Sequence, residues 1–324
     1  MLQKIKKLLG LESKVNKILP RYYFDNIANL SKSEIQDLTF HIRHYEENLP
    51  AIESRGINLE EFATIDYLLL NQNDWVAEKF NLSLENRCPE MCKIHFLLEN
   101  EMEEWQKFYS LSKNTYGSFK SYGTIFVVDF GKAPQTLGYL NHELVHSNSA
   151  IRFNASKIKD NFFDVSDQFI GYYNFENKKF NVLNEALTEM INIETLDYFR
   201  NNEKHGKDIL GSYHLSYKPE VLFFDLLIEE AGKRLNMCSN QIRNELYKGY
   251  FTGSFKPLNL FEKAFGKGTL KTLADMPFVT NDDLLDMALY IRKFGIVPSY
   301  FSQLMNFDCG KEISICGGIK IQKR

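Results

Sequence analysis

The chain has 324 residues, 44% hydrophobic and 25% charged, which is long enough to bury a core without disulfide staples and too apolar for wholesale disorder. Thirty-nine Lys and Arg against 42 Asp and Glu leave a net charge of −3, which argues against a nucleic-acid binder working through a basic surface. Five cysteines without a CxxC pair read as ordinary thiols of a reducing compartment, and no apolar run approaches the roughly 18 residues of a membrane span.

Residues 1–19 are basic and amphipathic, with Lys4, Lys6, Lys7, Lys14 and Lys17 among Leu2, Ile5, Leu8, Leu9, Ile18 and Leu19. They lack the continuous apolar core of a secretory signal, so a cytoplasmic location is expected, although signal-independent export would leave the same sequence. A helix here packs on its own domain or, as the alternative, lies on a membrane surface. Residues 1–110 as a whole read as helical. Ser31 and Glu34 form a capping box before Ile35, Leu38, Ile42 and Tyr45. Leu59 to Leu70 and Asp74 to Phe80 continue in the same style, and Met91 to Leu111 reads as a longer acidic helix. Cys88 and Cys92 provide two thiols, an incomplete set for zinc.

The pattern changes after Tyr116. Gly117 and Gly123 flank a turn-rich passage, and Thr124 to Phe130 is β-branched and aromatic, as in a strand. Pro134 suits a first helical turn, and Leu137, Leu140, Leu144 and Ile151 follow at helical spacing, so 134–151 reads as a helix with one apolar side. Phe162 to Phe180 reads as strand or loop, Leu183 to Phe199 and Pro219 to Leu235 as helices, and 309–322 as a hairpin. These readings predict an α+β chain: a helical N-terminal region over 1–110, a catalytic core over 111–235 and a helical C-terminal region over 236–324.

Within the 134–151 helix stands His142-Glu-Leu-Val-His146, an HExxH motif. Residues i and i+4 share a helix face, so both imidazoles can bind one ion. Glu143 is about 100° around the helix from His142, out of the ligand set but able to reach a water at the ion. Asn184-Glu-Ala-Leu-Thr-Glu189 opens the next long helix, with Glu185 and Glu189 again at i and i+4. Two histidines need a third protein ligand, and Glu185 can supply it. Glu189, one turn on, can accept the free N–H of a ligand imidazole. An exposed acidic face near a helix N-terminus is the competing explanation of the glutamate pair.

HExxH followed by Asn-Glu-x-x-x-Glu on a downstream helix resembles the gluzincin metallopeptidases, the group that includes thermolysin. The resemblance covers roughly residues 120–200. It implies a zincin-like catalytic core with a small sheet and active-site helices, one Zn2+ bound by His142, His146 and Glu185, Glu143 as general base, and Glu189 orienting a ligand histidine. It also implies that Thr124–Phe130 is the edge strand that pairs with extended substrate. The gap from His146 to Glu185 is longer than in thermolysin and is similar to that in the catalytic domain of anthrax lethal factor. The metzincin pattern is excluded, since Ser149 and Arg152 stand where it needs Gly and His.

A tetrahedral intermediate also needs a donor to its developing charge. Tyr217, ahead of a helix-opening Pro219, is the first candidate, with Tyr213 and His214 as alternatives and Tyr172 and Tyr173 next. The expected function is hydrolysis of a peptide or protein substrate, with no nucleic-acid partner. The alternatives are a zinc hydrolase of a non-peptide bond and a helical interaction protein with a structural or vestigial metal site.

Overall fold

The computed structural model describes residues 17–25, 30–43, 54–55, 57–109, 111, 115–129, 133–159, 162–202, 216–278, 313–315 and 319–321. The protein is α+β with small mixed sheets. It divides into two compact units, residues 1–170 with 192–214 and residues 171–191 with 215–324, so the first 110 residues share a unit with the HExxH helix.

In chain order the first described elements are β1 (Lys17–Ile18) and β2 (Tyr22–Asp25). Residues 1–16, most of the basic amphipathic segment, lie outside the described residues. Helix α1 (Lys32–Arg43) starts at the expected capping box: Glu34 N donates to Ser31 Oγ at 3.3 Å, and Ser31 N donates back to Glu34 Oε2 at 2.7 Å. After β3 (Ser54–Arg55) comes α2 (Leu59–Phe80), one helix where the sequence suggests two segments. A second capping box, Asn58 with Glu61, starts it, and Asn81 ends it at φ 56°.

The N-terminal region, expected to be mostly helical, also contains strands, β1 to β3 and those that follow. β4 (Leu82–Ser83) pairs parallel with β1. The stretch Met91–Leu111 is not one helix: β5 (Ile94–Leu98) occupies its first half, and only Met102–Phe108 forms α3. β6 (Gly117–Phe119) and β7 (Ile125–Asp129) complete a four-stranded sheet in the order β3-β5-β7-β6, with β5 and β7 parallel and both outer pairs antiparallel. Hence β7 is an interior strand, not the edge strand expected of Thr124–Phe130. The edge belongs to β6, where Gly117 lies opposite Val127.

The reason is visible in side-chain alternation. Ile125 and Val127 of β7, with Ile94 and Phe96 of β5, enter one core, and Phe126 and Val128, with Leu97, enter a second core around the fully buried Trp105. A strand apolar on both faces must be covered on both. The first core is closed by Ile65, Leu68 and Leu69 of α2 and by Tyr139, Leu140 and Leu144 of α4 (Ala133–Asn148), the HExxH helix.

Helix α4 stops before Ile151. Ser147 Oγ donates to Leu144 O at 2.9 Å and Ser149 Oγ to His146 O at 2.7 Å, taking carbonyls of the last turn. Ile151 then opens β8 (Ile151–Lys159), which pairs parallel with β2 and antiparallel with β9 (Phe162–Ile170). This corrects the helix expected to run through 151.

The second unit contains β10 (Tyr173–Asn174) and the N-terminal half of α5 (Asn181–Asn202), which is one uninterrupted helix. Then follow α6 (Lys218–Leu235), α7 (Ser239–Thr252), α8 (Asn259–Phe265), α9 (Thr269–Ala274) and a hairpin of β11 (Ile313–Ile315) with β12 (Ile319–Ile321), as 309–322 suggested. Here Tyr172 OH donates to Leu246 O at 2.9 Å, Thr188 Oγ1 meets Tyr250 OH at 2.8 Å, and Arg243 pairs with Asp225 in the interior. Gly171, at φ 56°, has no room for a side chain: a Cβ would fall 2.4 Å from Tyr250 and 2.5 Å from Asn184 Oδ1. Among the described residues, no helix is long and apolar enough to cross a membrane.

Candidate metal centre

Helix α4 is buried nearly all round from Tyr139 to Asn148, with His142 4%, Glu143 6% and His146 6% exposed. Leu144 and Leu140 anchor its apolar side in the first core. The histidine side is therefore polar without being solvated, which the spacing alone does not reveal. His142 and His146, one turn apart, bring their Nε2 atoms to 3.1 Å. Two nitrogen ligands about 2.0–2.1 Å from a tetrahedral ion stand roughly 3.3 Å apart, so the imidazoles already lie near the required separation.

Glu185 of α5, half-buried, completes the set: donor atoms of His142, His146 and Glu185 all lie within 4.8 Å of one another, and this group can hold a metal ion. Among the described residues it is the one group of three or more such side chains so placed. Two imidazoles and one carboxylate suit zinc and leave a coordination position open.

Glu143 packs against the edge strand. A Cβ built on Gly117 would stand 2.6 Å from Glu143 Oε1 and 3.0 Å from its Cγ, so β6 has glycine at the point where the carboxylate passes. The sequence shows Gly117 only as a turn flank. Nothing in its local pattern reveals that it faces position 143.

On α5, Glu189 is 1% exposed, and its Oε1 accepts from Ser216 N at 3.1 Å. This bond ties the start of α6 to the glutamate helix. The next residue, Tyr217, sits at φ 51° ahead of α6, with its ring 5.7 Å from that of Phe278. Asn184 Oδ1 accepts from Tyr172 N at 2.9 Å, so the first residue of the Asn-Glu-x-x-x-Glu motif fastens the turn before its own helix.

The other tyrosines separate. Tyr172 is fully buried, its hydroxyl committed to Leu246 O, and its ring packs on Tyr250 and Phe255, a structural role. Tyr173 is half-buried; partial burial and, after it, the Glu185 charge push its phenol above the ordinary value. Tyr213 and His214 lie outside the described residues, as do His44 and His205. His95 stacks on Phe126 at 5.3 Å in β5, and burial lowers its pKa.

A polar chain runs behind α4, and the sequence reading missed it. Gln72 Nε2 donates to Asn141 Oδ1 at 2.8 Å, and Asn148 Nδ2 donates to Gln72 Oε1 at 2.6 Å. Arg87, with no exposed surface, donates from Nη1 to Asn148 O at 2.8 Å, from Nε to Pro20 O at 2.8 Å and from Nη2 to Tyr23 OH at 3.1 Å. Burial draws its pKa down to about 10, so it remains a cation at neutral pH, placed at the negative end of the helix. The available signal was the amides at 141, 148 and 192 among the apolar residues of the two helices.

Comparison with protein-family models, with curated proteins and with solved structures found no match to this chain.

Proposed function

We propose that this protein is a zinc-dependent metallopeptidase in which His142, His146 and Glu185 bind the ion and Glu143 is the general base. The observation that carries the reading is the donor set, two imidazoles and one carboxylate within 4.8 Å of one another, with Glu143 next to it in the chain and outside it. A structural zinc site closes with four protein ligands; no fourth joins this group among the described residues. When bound, zinc would polarise the scissile carbonyl and lower the pKa of water toward neutrality.

The remaining work belongs to the chain. Glu143 would hold the attacking water, take its proton and deliver that proton to the leaving nitrogen. Its carboxylate is confined by the β6 main chain at Gly117, which limits the positions it can occupy. Glu189 would accept the free N–H of a ligand imidazole and keep that ring from rotating. A phenol near the glutamate helix, Tyr217 or Tyr173, would donate to the developing oxyanion. A peptide or protein is the proposed substrate.

The test combines elemental analysis of protein purified without added metal with proteome-wide identification of cleavage sites, wild type against Glu143→Gln. About one zinc per chain is expected in both, with cleavage by the wild type alone. Near-zero zinc that added zinc does not restore, or equal cleavage by Glu143→Gln, overturns the reading.

A further inference from the structure

Asn141 precedes the first histidine and is 1% exposed, yet none of its four amide bonds serves its own helix. Its Nδ2 donates to Asn192 Oδ1 at 2.8 Å, to Thr195 Oγ1 at 3.0 Å and, at 3.4 Å, to Asn192 O, all on α5, while its Oδ1 accepts from Gln72 of α2. Asn192 answers by donating from Nδ2 to Gly138 O at 3.2 Å, one turn before His142. The two helices are thus bonded reciprocally, side chain to side chain and side chain to main chain.

Asn192 also occupies a particular place on α5. Seven residues make about two turns, so Asn192 lies on nearly the same face as Glu185 and about 10 Å further along the axis. The bonds from Asn141 to Asn192 and Thr195 therefore set the rotation and height of α4 against the helix that carries the carboxylate ligand. Apolar packing leaves such a register adjustable, since methyl groups slide past one another at little cost. A buried amide pair does not, because a shift strands donors and acceptors away from water.

We propose that Asn141 is a positioning residue of the metal centre: through Asn192 and Thr195 it fixes the register of the histidine helix on the glutamate helix, and Gln72 with Asn148 holds it in the donating orientation. This rests on the metal-centre reading above, and the experiment separates the two.

Asn141→Leu is nearly isosteric and removes all four bonds. Thr195→Val removes one acceptor and leaves the Asn192 bond. Each variant is first unfolded thermally without metal, to establish the fraction folded at the assay temperature. Zinc affinity is then measured by competition with a chromophoric chelator, and the Co2+-substituted proteins are compared by visible absorption, which reports coordination geometry. For Asn141→Leu, a 10- to 100-fold weaker zinc affinity and an altered cobalt spectrum are expected in the folded protein, the range usual for residues that orient ligands. For Thr195→Val, a smaller change in the same direction is expected, and this variant decides the matter if Asn141→Leu does not fold. Wild-type affinity and an unchanged spectrum in the folded variants, with only the melting temperature lowered, overturn the positioning role alone. A wild type that takes up no zinc overturns the metal-centre reading together with this one.

Discussion

Gly117 on the edge strand and Glu143 on the histidine helix are so close that a methyl group at position 117 would meet the carboxylate at 2.6 Å. The obstructing atom is the far end of a side chain, so Gly117→Ala should fold, with the carboxylate giving way. A displacement of about 1 Å in a reacting group costs on the order of 10²-fold in rate. Gly117→Ala should therefore lose roughly that factor in kcat while zinc affinity stays near wild type. Loss of zinc, or undiminished kcat, would break the link between this contact and the position of the base.

Glu189 tests the outer hydrogen bonding. Glu189→Ala should weaken zinc affinity or activity about 10- to 100-fold, by freeing an imidazole to rotate. It also removes the acceptor for Ser216 N, so Glu189→Gln, which keeps an oxygen there, separates the two effects. If both variants bind zinc as the wild type does, the carboxylate has no part in orienting an imidazole.

The proposed oxyanion donor is tested on two phenols. Whichever of Tyr173→Phe and Tyr217→Phe removes the donor should lower kcat about 10²–10³-fold with KM and zinc content little changed. Tyr172→Phe should not behave this way, because its hydroxyl is bound to Leu246 O. It should show instead as a loss of about 1 kcal/mol in unfolding free energy, measured by urea titration. Full activity in both Tyr173→Phe and Tyr217→Phe would move the role to Tyr213 or His214.

One contributor to acid stability lies on the surface, where solvent screening keeps it small. The Lys157 ammonium, 2.6 Å away, and Ser31 draw the Glu34 carboxyl from 4.5 down to about 2. A folded pKa below the unfolded one means stability present above about pH 4.5 and lost as the pH falls toward 2. Glu34→Gln should flatten that part of the unfolding free energy against pH, with little change at neutral pH beyond the lost helix cap. Identical slopes in wild type and variant would assign the acid limb to other carboxylates.

The candidate ligand residues were legible because coordination demands a spacing and helices have a fixed period. His142 with His146 and Glu185 with Glu189 could be paired without knowledge of the fold. Ser31 with Glu34 was legible for a similar local reason. The sheet was not. Ile94, Leu97 and Leu98 fit a helical stripe, but β5 is an interior strand with apolar residues toward both cores, and periodicity cannot distinguish that from a buried helix. Ile151 misled in the same way: it continues the spacing of Leu137, Leu140 and Leu144, yet the serines at 147 and 149 turn to main-chain carbonyls and the helix ends before it. The roles of Gly117, Asn141 and Arg87 depend on partners distant in the chain, and no local pattern contains them.

Arg87 also bears on how far the chain can be shortened. Two of its three bonds described above go to Pro20 and Tyr23, at the very start of the described structure, and the third goes to the last turn of the histidine helix. The short strand Tyr22–Asp25 looks expendable for an expression fragment or to a trimming protease, since among the described residues it pairs with one strand. Cutting after it would strand a guanidinium in the interior, and each unmade buried bond costs about 1–3 kcal/mol, more beside a charge. The charge would still pull on Asn148 O, two residues from His146. The smallest fragment that keeps the histidines in place thus begins before Pro20, far upstream of the motif by which the site is recognised.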